Sequence, residues 1–293
     1  MKHTIHFNQT IQMIQHQAKQ TILRMIFSLI LGTGFMFIFS SCDTEEALLA
    51  FNDIPVVESY LITTRPVSIQ ITRKTPYDTN VALSNDNLDL LQVKVLYNDQ
   101  IRLIPSVGNG EYKDLAFIPQ EGVNYKLEFE FNNQTVSSST EILSKPEDFK
   151  QSVTQIKMPG IDFSTRPPTR PAMPDPVKLT WTNGDNSYYM VVIENMEPAP
   201  TAINDYGDKL PPGRFFRNAP TQTNQFEIQS MQFQYYGRHR LILYHLNADY
   251  AALYNDTGNS SQNLTNPTTN IENGLGIFTG INADTLLLNV IKP

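Results

Sequence analysis

Few side chains in this sequence have a type and spacing suited to chemistry. Cys42 is the only cysteine. It directly follows Phe39-Ser40-Ser41 at the end of an apolar run, the place of a cysteine that becomes the lipid-bearing first residue of a processed chain. With no second thiol there is no disulfide, and cysteine catalysis and thiolate metal sites are excluded with it. Beyond Cys42 the histidines are His239 and His245. Six residues apart on one strand, they share a face but stand roughly 20 Å from each other. That is too far for one metal or one acid–base pair, so both read as structural or surface residues. A Ser-His-Asp triad is compatible with the composition, but no G-x-S-x-G elbow presents a serine. Gly108-Asn109-Gly110 precedes a strand and not a helix, so it is no dinucleotide loop. The acidic clusters 86–89 and 205–208 lack calcium-loop spacing. They read as solvated turns, a weak surface calcium site being the alternative. The sequence therefore predicts no catalytic centre, no metal and no cofactor. Aromatic residues are the more promising group. Tyr206, Phe215, Phe216, Tyr235 and Tyr236 gather around Pro211-Pro212-Gly213, which reads as a loop. Two readings fit them, an exposed surface for partner contact and the filling of a core.

The N-terminus determines where such a surface would work. Lys2, Lys19 and Arg24 precede the apolar residues 25–39, and no acidic residue occurs before Cys42. This is the order of a secretion signal, and the run is shorter than the roughly 20 residues of a membrane-spanning helix. A retained N-terminal anchor is the alternative, but it would leave a lone cysteine at this junction unexplained. Residues 1–41 are thus expected to be a signal peptide and residues 42–50 a tether joined to the membrane through lipid on Cys42. Removing the signal leaves 19 basic and 29 acidic residues, a net charge of −10. So acidic a surface repels phosphate backbones and argues against nucleic acid as a partner. Asp43, Glu45 and Glu46 follow the cysteine at once. They resemble the acidic export signal of Bacteroidota surface lipoproteins, which implies an outer-membrane protein facing the extracellular medium. The plain alternative is an ordinary solvated tether.

The elements that must position these residues are strands. Val67, Ile69 and Ile71 alternate with polar neighbours, as do Leu91, Val93, Val95 and Tyr97, and then Tyr125, Leu127, Phe129 and Phe131. One apolar face per strand marks antiparallel sheets packed on a single side. Asn132-Asn133 is a hairpin turn, because asparagine tolerates positive φ. Residues 51–143 read as a β-sandwich of immunoglobulin-like size. Seven prolines crowd residues 144–176. Proline is excluded from central strands, so this stretch reads as a connector, stiff and extended over 165–176. A second β unit spans 177–293. Its strands carry Val177, Leu179 and Trp181, then residues 188–193 as a nearly continuous apolar and therefore central strand, then Phe226 and Ile228, then residues 236–246. The order of a tryptophan strand, a Tyr188-Tyr189 strand and a late strand bearing Tyr244 resembles a fibronectin type III domain. Residues 253–272 read as a long Asn/Thr/Ser-rich loop, and residues 285–291 as the closing strand. The fold class is all-β, with two sandwiches.

Several further pieces occur in a fixed order. Val56-Val57-Glu58 follows the tether, Gly110-x-Tyr112 and Gly122-x-x-Tyr125-x-Leu127 come in the first unit, and residues 269–278 read Thr-Asn-Ile-Glu-Asn-Gly-Leu-Gly-Ile-Phe. This order resembles the Bacteroidota lipoproteins catalogued as domain of unknown function 4249, over nearly all of the chain beyond Cys42. Asn270, Ile271, Gly274, Leu275, Gly276 and Phe278 carry the most specific part of the likeness. The resemblance implies no activity. It implies a partner class, TonB-dependent outer-membrane receptors. On physical grounds Gly274 and Gly276 suggest a bulge or a close backbone approach, with Ile277 and Phe278 anchoring the loop to the core. A partner-contact role is the other reading. The resulting expectation is a non-catalytic binding or accessory module of nutrient uptake, with an adhesin or pilus-type subunit as the alternative and a secreted hydrolase last. Its contacts are expected on the second unit, in loops at about 196–224 and 253–284.

Overall fold

Strands follow the alternation of apolar and polar residues closely. In β1 (Pro55–Ile62), β2 (Val67–Arg73) and β7 (Asn124–Phe131) every second side chain is buried. Further strands lie between and after them: β3 (Lys94–Tyr97), β4 (Gln100–Leu103), β5 (Ser106–Gly108), β6 (Glu111–Asp114) and β8 (Gln134–Glu141). Further along come β9 (Lys150–Gln151), β10 (Gln155–Lys157), β11 (Val177–Thr180), β12 (Tyr188–Asn195), β13 (Phe215–Arg217), β14 (Gln225–Ile228), β15 (Gly237–Leu246) and β16 (Leu275–Ile291), with one α-helix among the described residues, α1 (Ala248–Thr257). The computed structural model describes residues 53–74, 86–160, 171–204, 213–257 and 268–293. The signal peptide, Cys42, Asp43, Glu45, Glu46 and Tyr206 lie outside the described residues.

The strands form two sandwiches. In the first, β5-β6-β2-β1 faces β4-β3-β7-β8. Leu61, Ile69, Ile71 and Tyr112 from one side meet Val95, Leu127, Phe129 and Val136 from the other in a single core. In the second, β13-β12-β15-β16 faces β14-β11-β9, and Leu179, Ile228, Val191, Leu241 and Leu288 make a separate core. Trp181 and Tyr189 sit in that second core, as the tryptophan and Tyr-Tyr strands suggested. β12 is central, flanked by β13 and β15. The Asn132-Asn133 turn has φ of 49° and 60°, both left-handed, and it closes the β7–β8 hairpin.

Three expectations need correction. First, residues 285–291 are only the end of a much longer strand, the 17-residue β16. Its first part, Leu275–Ile281, runs parallel to β1 and belongs to the first sandwich, while Ile281–Val290 pairs antiparallel with β15 in the second. Ile271 and Phe278 enter the first core. The sandwich expected over 51–143 is therefore completed by the C-terminal end of the chain, and residues 53–293 form one compact unit. Where β16 passes from one sandwich to the other, Met190, Leu246 and Ile281 make a small third core with Ile62 and Tyr244 against it. Secondly, the early part of the proline-rich stretch is not a linker. Phe149, Ile156 and Met158 pack into the second core, and β9 and β10 pair with β11 and β16. Residues 171–176 have no regular structure. Thirdly, α1 occupies the start of the expected 253–272 loop, and Ile271 at its end is buried.

Candidate functional site

Residues 269–278 form a corner in which side chains substitute for strand partners. The Phe278 N–H donates to Asn270 Oδ1 at 3.0 Å, and Asn270 Nδ2 donates to the Phe278 carbonyl at 2.8 Å. The same amide nitrogen donates to Asp249 Oδ2 of α1 at 3.1 Å. Ser138 Oγ donates to the Asn270 carbonyl, Ser137 Oγ to Glu272 Oε2, and Asn273 Nδ2 to the Thr135 carbonyl. Ser137 and Glu272 also exchange both backbone hydrogen bonds. The segment thus covers the outer edge of β8, which would otherwise lie open to pairing by another chain. Gly276 has φ +99°, and a Cβ there would overlap the carbonyl oxygen of Val57. At Gly274 a Cβ would lie 2.8 Å from Ile271 Cγ2. Both glycines mark the close approach expected of them, Leu275 pairs with Val56, and Ile277 and Phe278 are buried. Gly110-x-Tyr112 is structural as well. The Tyr112 hydroxyl donates to the Leu88 carbonyl and accepts from Leu91 N–H, while Asp89 accepts from the Asn109 and Gly110 amides.

A cleft of about 390 Å³ opens on the second sandwich. Its walls come from the edge strand β13, the short 3₁₀ turn Ser230–Gln232 and the start of β15. β13 is held in place by the pairing of Phe215 with Glu194 on β12. Tyr235 is held by a bridge to Ala202 and is 5% exposed. By contrast Phe215 is 65% and Met231 78% exposed, two large apolar side chains left in water beside the cleft. Ile193, Phe216 and His239 also line it. Of the aromatics picked out in the sequence, Phe215, Phe216 and Tyr235 come together here. Phe216 also stacks on Phe226, and Tyr236 packs on the second core with its hydroxyl donating to the Met158 carbonyl at 3.0 Å. So Phe215 is exposed while Tyr235 and Tyr236 are packed, and the group divides between surface and core.

About half of the lining is polar. Arg214 donates from both terminal nitrogens to the carbonyls of Glu197 and Pro198, each at 3.3 Å. His239 is buried, with Nδ1 3.0 Å from the Gly237 carbonyl and Nε2 3.3 Å from Asn195 Nδ2. A proton on Nδ1 satisfies the carbonyl and leaves Nε2 to accept from the asparagine amide. Burial lowers the His239 pKa below the usual histidine value, so the ring is neutral at pH 7. His245 shares its strand face but lies elsewhere, stacked on Tyr189 at 4.6 Å with Nδ1 donating to the Ser144 carbonyl at 2.7 Å. Its Nε2 is buried without a hydrogen-bond partner among the described residues. Desolvation raises the Tyr189 hydroxyl pKa to about 12. Among the described residues no group of three or more His, Cys, Asp or Glu is placed to hold a metal ion, and no helix is long and apolar enough to cross a membrane. Arg214, Met231 and His239 were not assigned to a site from the sequence. The exposed Met231 beside Gln232 and Gln234 carried no periodic signal.

A search of the curated proteins finds no match to the chain. The model of the family described as Domain of unknown function (DUF4249) matches residues 41–286. That match covers most of the chain, which belongs to this family.

Proposed function

We propose that the chain is an outer-membrane surface lipoprotein that serves as a non-catalytic binding or accessory module beside a TonB-dependent receptor in nutrient uptake. The observation that carries this reading is the order at the N-terminus: basic residues, the apolar run 25–39, Ser40-Ser41-Cys42, then Asp43, Glu45 and Glu46. The lipid on Cys42 tethers the first sandwich, and the second presents the cleft with Phe215 and Met231. Cys42→Ala should release the protein from membranes or block its maturation, and a receptor should co-purify with the unaltered protein from detergent-solubilised outer membranes. Unchanged membrane association of the variant sinks the lipoprotein reading, and a receptor-free preparation sinks the accessory reading. Replacing Asp43, Glu45 and Glu46 by Ala tests surface exposure. Intact cells should lose the unaltered protein to added protease and keep the variant. Equal sensitivity reduces the acidic run to a tether.

A second reading, a fibre-forming adhesin or pilus-type subunit, is favoured by β4. This edge strand of the four-stranded sheet exposes Ile101 by 68% and Leu103 by 58%, and an apolar edge strand can be extended by another chain. Ile101→Lys should abolish assembly if that reading holds, and should leave receptor association untouched if it does not.

A further inference from the structure

We propose that the cleft between β13 and the 230–235 segment binds a small amphiphile: a flat apolar body bearing one carboxylate. This rests on the reading of the chain as a binding module and names the ligand class of its cleft. The volume of about 390 Å³ falls in the range of small-molecule sites, which are mostly apolar with a few polar groups fixing orientation. The apolar share comes from Phe215, Met231, Tyr235 and Ile193. Phe215 and Met231 lie in water at 65% and 78% exposure, and a bound apolar body would cover both, with the aromatic face of Phe215 and the adaptable thioether of Met231 favouring a flat ring.

Charge decides the polar end. Arg214 lines the cleft, and the backbone carbonyls it contacts engage two of the five N–H donors a guanidinium carries. Those carbonyls fix its plane without neutralising it. Glu194 pairs with Arg240 and Glu197 with Arg238. Among the described residues no carboxylate lies within ion-pair distance of Arg214. A guanidinium with free donors in a fixed plane suits a planar carboxylate, which accepts two parallel N–H bonds. Gln232 also lines the cleft and offers its amide NH₂ to a second polar group, since its Oε1 accepts from Gln229 N–H. His239 on the floor keeps a neutral ring and adds no second cation.

The test titrates the full chain in lipid nanodiscs, labelled with methyl-¹³C methionine, with 2-naphthoate and with the uncharged 2-naphthamide, free probe being fixed by dialysis. Met231→Leu identifies the Met231 methyl signal. We expect 2-naphthoate to move that signal saturably and to bind roughly tenfold tighter than the amide, the scale of one charge-assisted hydrogen-bonded contact. Arg214→Gln should bring the two probes level, and Phe215→Ala should weaken both severalfold. Equal affinities in the unaltered chain overturn the proposal, as does a still Met231 signal while other methyls move, or the lack of saturable binding by either probe. Co-purification of a receptor is a separate readout, so the accessory role stands or falls apart from this titration.

Discussion

The 269–278 corner and the cleft on the second sandwich are built on opposite principles. At the corner nearly every polar group has a partner. Asn270 replaces a strand for Phe278, Glu272 and Asn273 close the edge of β8, and two glycines let backbone meet backbone where no side chain fits. At the cleft two large apolar side chains stay in water and an arginine has no carboxylate among the described residues. The contrast separates the residues that make the fold from those free to meet something else. The corner serves the architecture. It places the first part of β16 against β1 so that the second part can pair with β15, and one strand thereby holds two cores. The proposed binding cleft lies where the chain is least periodic.

Breaking the corner should have the largest effect. Gly276→Ala places a methyl against the Val57 carbonyl at φ +99°. We expect a loss of about 3–5 kcal/mol, or failure to fold, because strain and overlap act together. Gly108→Ala is the control. Its φ is +102°, but a Cβ there would meet open space, so only the backbone strain of about 1–3 kcal/mol applies. Urea denaturation read by the single Trp181 compares them. If both variants lose the same amount, close packing at Gly276 is not what the corner needs.

Next in size, Asn270→Ala removes both hydrogen bonds to the Phe278 backbone and should cost about 1–3 kcal/mol in the same assay. Trp181 lies in the second core and Phe278 in the first. A matching loss seen at Trp181 therefore shows that β16 couples the two. Trp181 fluorescence that stays native while amide protection in β1 and β7 is lost would show two separate units.

A smaller effect is expected from His239 in the floor of the cleft. Its folded pKa is lowered by burial, so the unfolded chain takes up the proton first as pH falls. Its contribution is complete above about pH 6.5, the unfolded value, and is lost below it, stability rising with pH through that window. His239→Gln should flatten this part of a denaturation-against-pH curve. An unchanged slope would show that other groups set it.

Much of the architecture was legible because strand alternation reports which face is buried. Val67, Ile69, Ile71 and residues 125–131 needed no more than that, and the Asn132-Asn133 hairpin followed from residue type. The length of β16 was hidden. Gly276, Gly280 and the run Thr279 to Thr285 interrupt the apolar pattern, yet Thr279 and Asn282 are buried, and Asn282 is satisfied by Glu121 at 2.8 Å and the Leu143 carbonyl at 3.0 Å. Tertiary partners supplied there what local pattern lacked. Phe149, Ile156 and Met158 were masked by the prolines around them. The cleft was half legible. Its aromatics stood out by type, but Arg214 and Met231 are 17 positions apart in irregular segments, and only the fold brings them to one cavity.

The smallest stability effect belongs to the cleft itself. Phe215→Ala, at 65% exposure, should change stability by no more than about 0.5 kcal/mol. This sets up the most direct test of the contrast between scaffold and cleft, a paired measurement of urea midpoint and 2-naphthoate affinity on Asn270→Ala and Phe215→Ala. The account predicts a crossed result. Asn270→Ala lowers the midpoint and leaves affinity as it was, while Phe215→Ala keeps the midpoint and weakens binding severalfold. Affinity lost with Asn270→Ala while folding is intact, or a midpoint lowered by Phe215→Ala with binding unchanged, would contradict it.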